Sequence, residues 1–223
     1  MNTMRSLRTL AGLAALLALS ACGSSSQAPP SPPTSISYVD PVGDGWKLVK
    51  DGSSTSTRIV LDLVGPNGAT LRGVGFNLQK GSSLSFGTFA DGGYAHDTGV
   101  FELTGSNSNF ESYAGTDADP RLFAAGVMAS GKVLSTGIFQ KDRTRVPKPV
   151  DKPLVQVAVE LAANPPAVGA DDASVAAAYG LKVLKARIVP ADIGGMDFIL
   201  TPTVIAKARM QDIYIAVGTI EAH

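Results

Sequence analysis

The pattern that most constrains this chain is alternation with a period of two. In Val155-Gln156-Val157-Ala158-Val159-Glu160-Leu161, the residues Val155, Val157, Val159 and Leu161 fall on one face of an extended segment. Gln156, Ala158 and Glu160 fall on the other. Ile59, Leu61 and Leu63 alternate in the same way with Arg58 and Asp62, and Val74, Phe76 and Leu78 share a face in the next run. Ile213, Ile215 and Val217 do so near the C-terminus. Side chains of a strand point alternately to its two faces, so this pattern requires a sheet with one face buried and one wet, as in antiparallel sheets.

The punctuation agrees. Pro66-Asn67-Gly68 separates two apolar runs, an Asn-Gly hairpin signal, and Asp91-Gly92-Gly93 and Ser130-Gly131 mark further turns. Strands are predicted near 46–49, 57–64, 71–79, 83–89, 98–103, 121–128, 133–139, 154–162, 181–189, 196–200 and 213–221. So many short strands without βα alternation predict an all-β sandwich or barrel. One short helix is predicted at 171–180, with an acidic start at Asp171-Asp172, an Ala-rich middle and a Gly180 stop. It is expected to pack through Val175 and Tyr179. Residues 141–153 (KDRTRVPKPVDKP) form the expected long crossing loop, rich in cations.

The amino-terminal segment is chemically different. Arg5 and Arg8 precede an apolar run from Leu10 to Leu19, too short to span a bilayer as a mature helix. Leu19-Ser20-Ala21-Cys22 then resembles the lipobox of bacterial lipoproteins. That resemblance implies cleavage before Cys22, diacylation of its sulfur and acylation of the new amino group, which anchors a chain stably in a membrane. Gly23 follows, where an Asp in enterobacterial lipoproteins would retain the protein at the inner membrane. The implied location in a host with two membranes is therefore the outer one. Residues 1–21 read as signal peptide, and residues 22–35 as lipidated Cys22 followed by a Pro- and Ser-rich disordered tether. Residues 36–223 read as a single folded domain.

Composition removes several classes of function. Lys+Arg and Asp+Glu are 19 each, and loss of residues 1–21 takes away two cations and leaves a net charge of −2. No basic excess exists for nucleic acid. One Cys and two His exclude a disulfide scaffold and a four-ligand Cys/His zinc site.

Four stretches, IVLDLVGPNGATLRGVGFNLQ, GKVLSTGIFQK, PLVQVAVELAA and DIYIAVGTIEA, together resemble cohesin-like modules. The likeness implies an antiparallel jelly-roll β-sandwich related to some carbohydrate-binding modules. It also implies recognition of a dockerin-like protein or a glycan. The predicted strands exceed the family's nine, and the insertions near 105–120 and 165–180 are long.

Catalytic constellations are sparse. Gly126-Val127-Met128-Ala129-Ser130-Gly131-Lys132 approaches a phosphate loop, but Val133 stands where a hydroxyl must hold magnesium. His96 has Asp97 beside it, but neighbours on a strand face opposite ways. Asp117 and Asp119 form a carboxylate pair that a polysaccharide hydrolase or a calcium site would use, although no full calcium loop surrounds them. Tyr94 and Tyr113 lie in the loop-rich stretch 91–115 and are candidate ligand-facing rings, while Phe76, Phe86, Phe139 and Trp46 are assigned to the core. The candidate ligand-binding set is Tyr94, Tyr113, Asp117 and Asp119, with no metal, no cofactor and no catalytic residue expected.

The expected function is a lipid-anchored, non-catalytic binding or assembly module of the cell envelope. Its partners would be the membrane, through the N-terminal lipid, and a protein or glycan ligand. The alternatives are a carboxylate-dependent polysaccharide hydrolase and a purely structural envelope lipoprotein.

Overall fold

The computed structural model describes residues 31–98, 102–103, 126–127, 131–139, 148–150, 152–165, 167–169, 171–191 and 211–223. Among them the chain forms an all-β, antiparallel sandwich with one short helix. The strands in order are β1 (Ile36–Val39), β2 (Lys47–Lys50), β3 (Arg58–Val64), β4 (Thr70–Lys80), β5 (Leu84–Gly87), β6 (Ala95–Asp97) and β7 (Glu102–Leu103). Then follow β8 (Gly126–Val127), β9 (Val133–Phe139), β10 (Lys148–Pro149), β11 (Val155–Leu161), the helix α1 (Asp172–Tyr179), β12 (Leu181–Pro190), β13 (Gln211–Asp212) and β14 (Thr219–Ala222).

One sheet runs β2-β3-β11-β5, with β6 also paired to β11. The other runs β13-β12-β4-β9-β7, with β10 on β4 and β8 on β9. β1 and β14 pair separately and bring Ile36 opposite Ala222. The alternation predicts the inner faces. Ile59, Leu61, Leu63, Val155, Val157 and Val159 of one sheet are fully buried, as are Val74, Phe76, Leu78, Leu134 and Ile138 of the other. All belong to a single core cluster, and burial of each such side chain contributes about 1.5–3 kcal/mol.

The Asn-Gly turn forms, with Gly68 at φ 76° and the Ala69 amide donating to the Pro66 carbonyl at 3.3 Å. It does not close a hairpin. β3 pairs with β2 and β11, whereas β4 pairs with β9, β10 and β12. The turn is a corner between the two sheets. Val150 holds it: its carbonyl accepts from Gly65 N–H at 2.8 Å and its amide donates to Ala69 O at 3.2 Å. A Cβ on Gly65 would stand 2.6 Å from a Val150 methyl, so the close approach requires glycine. β10 and Val150 belong to the predicted crossing loop: β10 pairs with β4 of one sheet, and the next strand, β11, lies in the other.

β8 pairs antiparallel with β9, and Gly131, shortly before β9, has a φ of 67°. The phosphate-loop-like text therefore has a strand after it. The helix starts at Asp171, whose carboxylate accepts from the Ser174 amide at 2.9 Å. Its packing differs from expectation. Tyr179 is buried, but Val175 is 39% exposed and Ala178 takes the buried position instead. Residues 178 and 179 meet the Gly81–Ser83 turn, and this rotates position 175 outward.

The predicted strand 213–221 is divided. Residues 213–218 form no strand, with a single parallel bridge from Ala216 to Lys47, and the ladder resumes only at β14. The strands β1, β6, β10 and β13 escaped prediction as separate elements. The predicted strand 196–200 lies outside the described residues. Thr34 and Ser35, placed in the tether by composition, both donate to the His223 carbonyl at 2.8 and 3.1 Å. Among the described residues no helix is long and apolar enough to cross a membrane.

Candidate functional site

The outer face of the five-stranded sheet carries the most developed polar surface among the described residues. Strand register sets it. On β11, Gln156 lies opposite Asp62 of β3 and His96 of β6, so the three form one row. Four residues along, Glu160 lies opposite Arg58 of β3 and Ser85 of β5. Cross-strand neighbours on one face stand close enough to interact.

In the second row, the Arg58 guanidinium pairs with the Glu160 carboxylate and donates to the Thr88 carbonyl at 2.9 Å. It also sits over the Phe89 ring, 5.3 Å from its centroid. Phe89 in turn stacks on His96, with centroids 5.6 Å apart and planes inclined by 26°. Arg58, Phe89 and His96 thus form a continuous stack linking the two rows. His96 is exposed at its open end.

In the first row, Gln156 Nε2 donates to Asp62 Oδ1 at 3.0 Å. Asp62 is only 6% exposed. Burial pushes its carboxyl above the ordinary aspartate range; the Gln156 bond opposes this, and the nearby Asp51 charge adds to it. Asp51 shifts the other way. Its carboxylate accepts from the Ser53 hydroxyl at 2.5 Å and the Ser53 amide at 2.8 Å, which holds it below the ordinary range. The Asp51–Ser54 turn stands where β2 ends: Asp51 N–H donates to Val60 O at 2.8 Å, and Val60 N–H donates to Ser54 Oγ at 2.9 Å. The edge of β3 is therefore closed by side chains after its partner strand stops.

The residues singled out from sequence fare unevenly. Tyr94 is half-buried and packs against the core beside β6. Tyr113, Asp117, Asp119 and Cys22 lie outside the described residues. Of the rings assigned to the core, Phe76 is fully buried, and Trp46 and Phe86 pack against the core from partly buried positions. The side chain of Phe139 lies outside the described set. Arg58, Phe89 and Glu160 were not anticipated as a group. Arg58 and Glu160 were visible as polar members of alternating strands, but their pairing across 102 positions was not. Tyr214 is 82% exposed, as its place between Ile213 and Ile215 in the alternation implies.

Among the described residues no group of three or more His, Cys, Asp or Glu side chains could hold a metal ion. What this face offers is a rigid platform: an arginine–aromatic–imidazole stack, an amide and carboxylates, all fixed by the sheet beneath. Such groups bind by hydrogen bonds and stacking. A scan against protein-family models matches none, and a search of curated protein sequences finds no significant relative.

Proposed function

We infer that this chain is a lipid-anchored, non-catalytic module of the cell envelope that binds a protein or glycan through the outer face of its five-stranded sheet. The observation that carries this reading is the Arg58–Phe89–His96 stack, ordered by the Glu160 ion pair and open at His96. Stacked planar groups beside fixed hydrogen-bonding side chains suit a sugar ring or a polar peptide surface. The lipobox at Cys22 and the Pro- and Ser-rich segment after it support attachment to a membrane, with the sandwich held off its surface.

Two measurements test it. A Cys22→Ala chain should move from the membrane to the soluble fraction, and recovery of the unprocessed, non-acylated wild-type chain would remove the anchor. For recognition, the Cys22→Ala chain is mixed with cell-envelope extract and with purified envelope polysaccharide. Capture of a partner that is lost with Arg58→Ala and His96→Ala supports this surface; capture unchanged in both variants moves recognition elsewhere on the molecule.

A further inference from the structure

A depression of about 450 Å³ opens between the C-terminal end of α1 and the ends of β4 and β12. Three lysines line it: Lys80, Lys132 and Lys182. Register explains the convergence. Lys80 is the last residue of β4 and lies opposite Leu181, Lys182 lies opposite Gln79, and the Lys80 amide donates to the Lys132 carbonyl at 3.1 Å. Three neighbouring chain segments thus each deliver a cation to one place. None of the nine lining residues is acidic, in a chain where charged residues are only 17%.

Lysines commonly gather at a helix C-terminus to satisfy its carbonyls. Here three of those carbonyls are already used. Ala176 O accepts from Gly180 N–H at 2.8 Å, Ala177 O from Ser82 N–H at 3.0 Å, and Ala178 O from Ser83 N–H at 2.9 Å. Lys80 is half-buried; its ammonium donates to the Leu84 carbonyl at 2.5 Å and lies 5.8 Å from the Phe86 ring centroid. Burial lowers its proton affinity first, and the charge of Lys132 lowers it further. Like charges crowded in a partly enclosed cleft are the arrangement that a bound anion relieves.

We propose that this cleft is a binding site for a phosphate-type oxyanion, a phosphomonoester or pyrophosphate group carried by a small ligand or displayed on a lipid headgroup. Lys80 forms the floor, Lys132 and Lys182 form the rim, and the aliphatic lysine stems with Ala176, Ala177 and Leu181 give an apolar wall for the rest of the ligand.

The test uses the full-length chain in detergent micelles at low ionic strength, titrated with inorganic pyrophosphate by calorimetry. Saturable binding is expected, weakened about tenfold in the Lys132→Gln/Lys182→Gln double variant. That variant keeps the Lys80–Leu84 bond, and the distant Lys152→Gln change should leave affinity as in wild type. A second readout is the titration of the Lys80 side-chain ammonium by NMR, whose pKa should rise when pyrophosphate is bound. Parallel arms with phosphatidylcholine vesicles, with and without phosphatidic acid as the phosphomonoester lipid, separate the sources: displacement of anionic vesicles by pyrophosphate identifies a headgroup phosphate, and pyrophosphate binding without vesicle binding identifies a soluble ligand. Absence of saturable pyrophosphate binding overturns the proposal. So does equal affinity in the double variant, or lysine-dependent binding to anionic vesicles that pyrophosphate does not displace.

Discussion

The Gly218 amide donates to the Tyr38 hydroxyl at 2.6 Å, across 180 positions of sequence. The same hydroxyl donates to the Leu48 carbonyl at 3.0 Å. One phenol therefore ties β1, β2 and the approach to β14 together, and a Cβ on Gly218 would lie 2.8 Å from the ring. Tyr38→Phe keeps the packing but leaves a partly buried amide and a carbonyl without this partner, which costs about 1–3 kcal/mol. The pH dependence is distinctive. Burial, the largest cause, pushes the Tyr38 hydroxyl from 10.0 to about 12. The folded state holds this proton more tightly than the unfolded chain does. The stabilisation is thus fully present below pH 10 and is lost as pH rises towards 12, by about 2–3 kcal/mol. Denaturant unfolding at stepped alkaline pH should show this loss in wild type, and Tyr38→Phe should lack it.

The helix is docked by a contact with no room for a side chain. A Cβ on Gly81 would stand 2.3 Å from Ala178 O and 2.7 Å from Tyr179 N. Both are backbone atoms, so no rotamer relieves the clash and the helix or the turn must shift. Gly81→Ala should destabilise by about 1–3 kcal/mol. Gly52→Ala is the matched control, because nothing lies within 4 Å of its added methyl. It should be neutral or stabilise by up to about 1 kcal/mol. Equal thermal midpoints for the two variants would show that α1 does not depend on this turn.

Local pattern was sufficient for β9, whose predicted limits 133–139 match the strand Val133–Phe139, and for the inner residues of β3, β4 and β11. It was insufficient wherever the outcome depended on a distant partner. Asn67-Gly68 specifies a turn but not whether the strands flanking it pair, because Val150, far along the chain, decides that the turn is a corner. Val175 and Ala178 are both apolar enough to face a sheet. The Gly81–Ser83 turn selects Ala178, and a two-turn helix has too little amphipathicity of its own to decide. The Arg58–Glu160 pair and the three-lysine cleft follow from register between strands far apart in sequence, and alternation fixes the face a residue takes but not which distant residue it meets.

The core predicts a large asymmetry between two apolar positions. Phe76 lies at the centre of β4 with no exposed surface, flanked across strands by Ala186 and Thr136. Phe76→Ala should cost about 3–5 kcal/mol through lost burial and the cavity left behind. Val175→Ser, on the exposed side of α1, should change stability by less than about 0.5 kcal/mol. Urea unfolding of the two variants, with unchanged slopes, measures both.

Asp62 and Asp51 predict opposing acid responses at one place on the sheet. Asp62 has a raised folded pKa, with burial as its largest cause. Its protonated form is therefore favoured by folding, and its contribution to stability is present below the ordinary aspartate value and is lost as pH rises through the raised one. Asp51 is lowered, chiefly by the Ser53 hydroxyl, so its contribution is present above the ordinary value and is lost as pH falls through the depressed one. Asp62→Asn fixes the neutral state, and its amide oxygen can still accept from Gln156. At neutral pH this variant should be as stable as wild type or more stable, with the advantage shrinking as pH falls towards 4. Asp51→Asn should do the reverse, losing stability at neutral pH with the difference narrowing in acid. Thermal midpoints of the three proteins from neutral pH down to about pH 2 give the answer, with the Asp62 change above the ordinary aspartate value and the Asp51 change below it. An Asp62→Asn curve parallel to wild type across that range would mean that Asp62 is as readily ionised in the fold as in the unfolded chain.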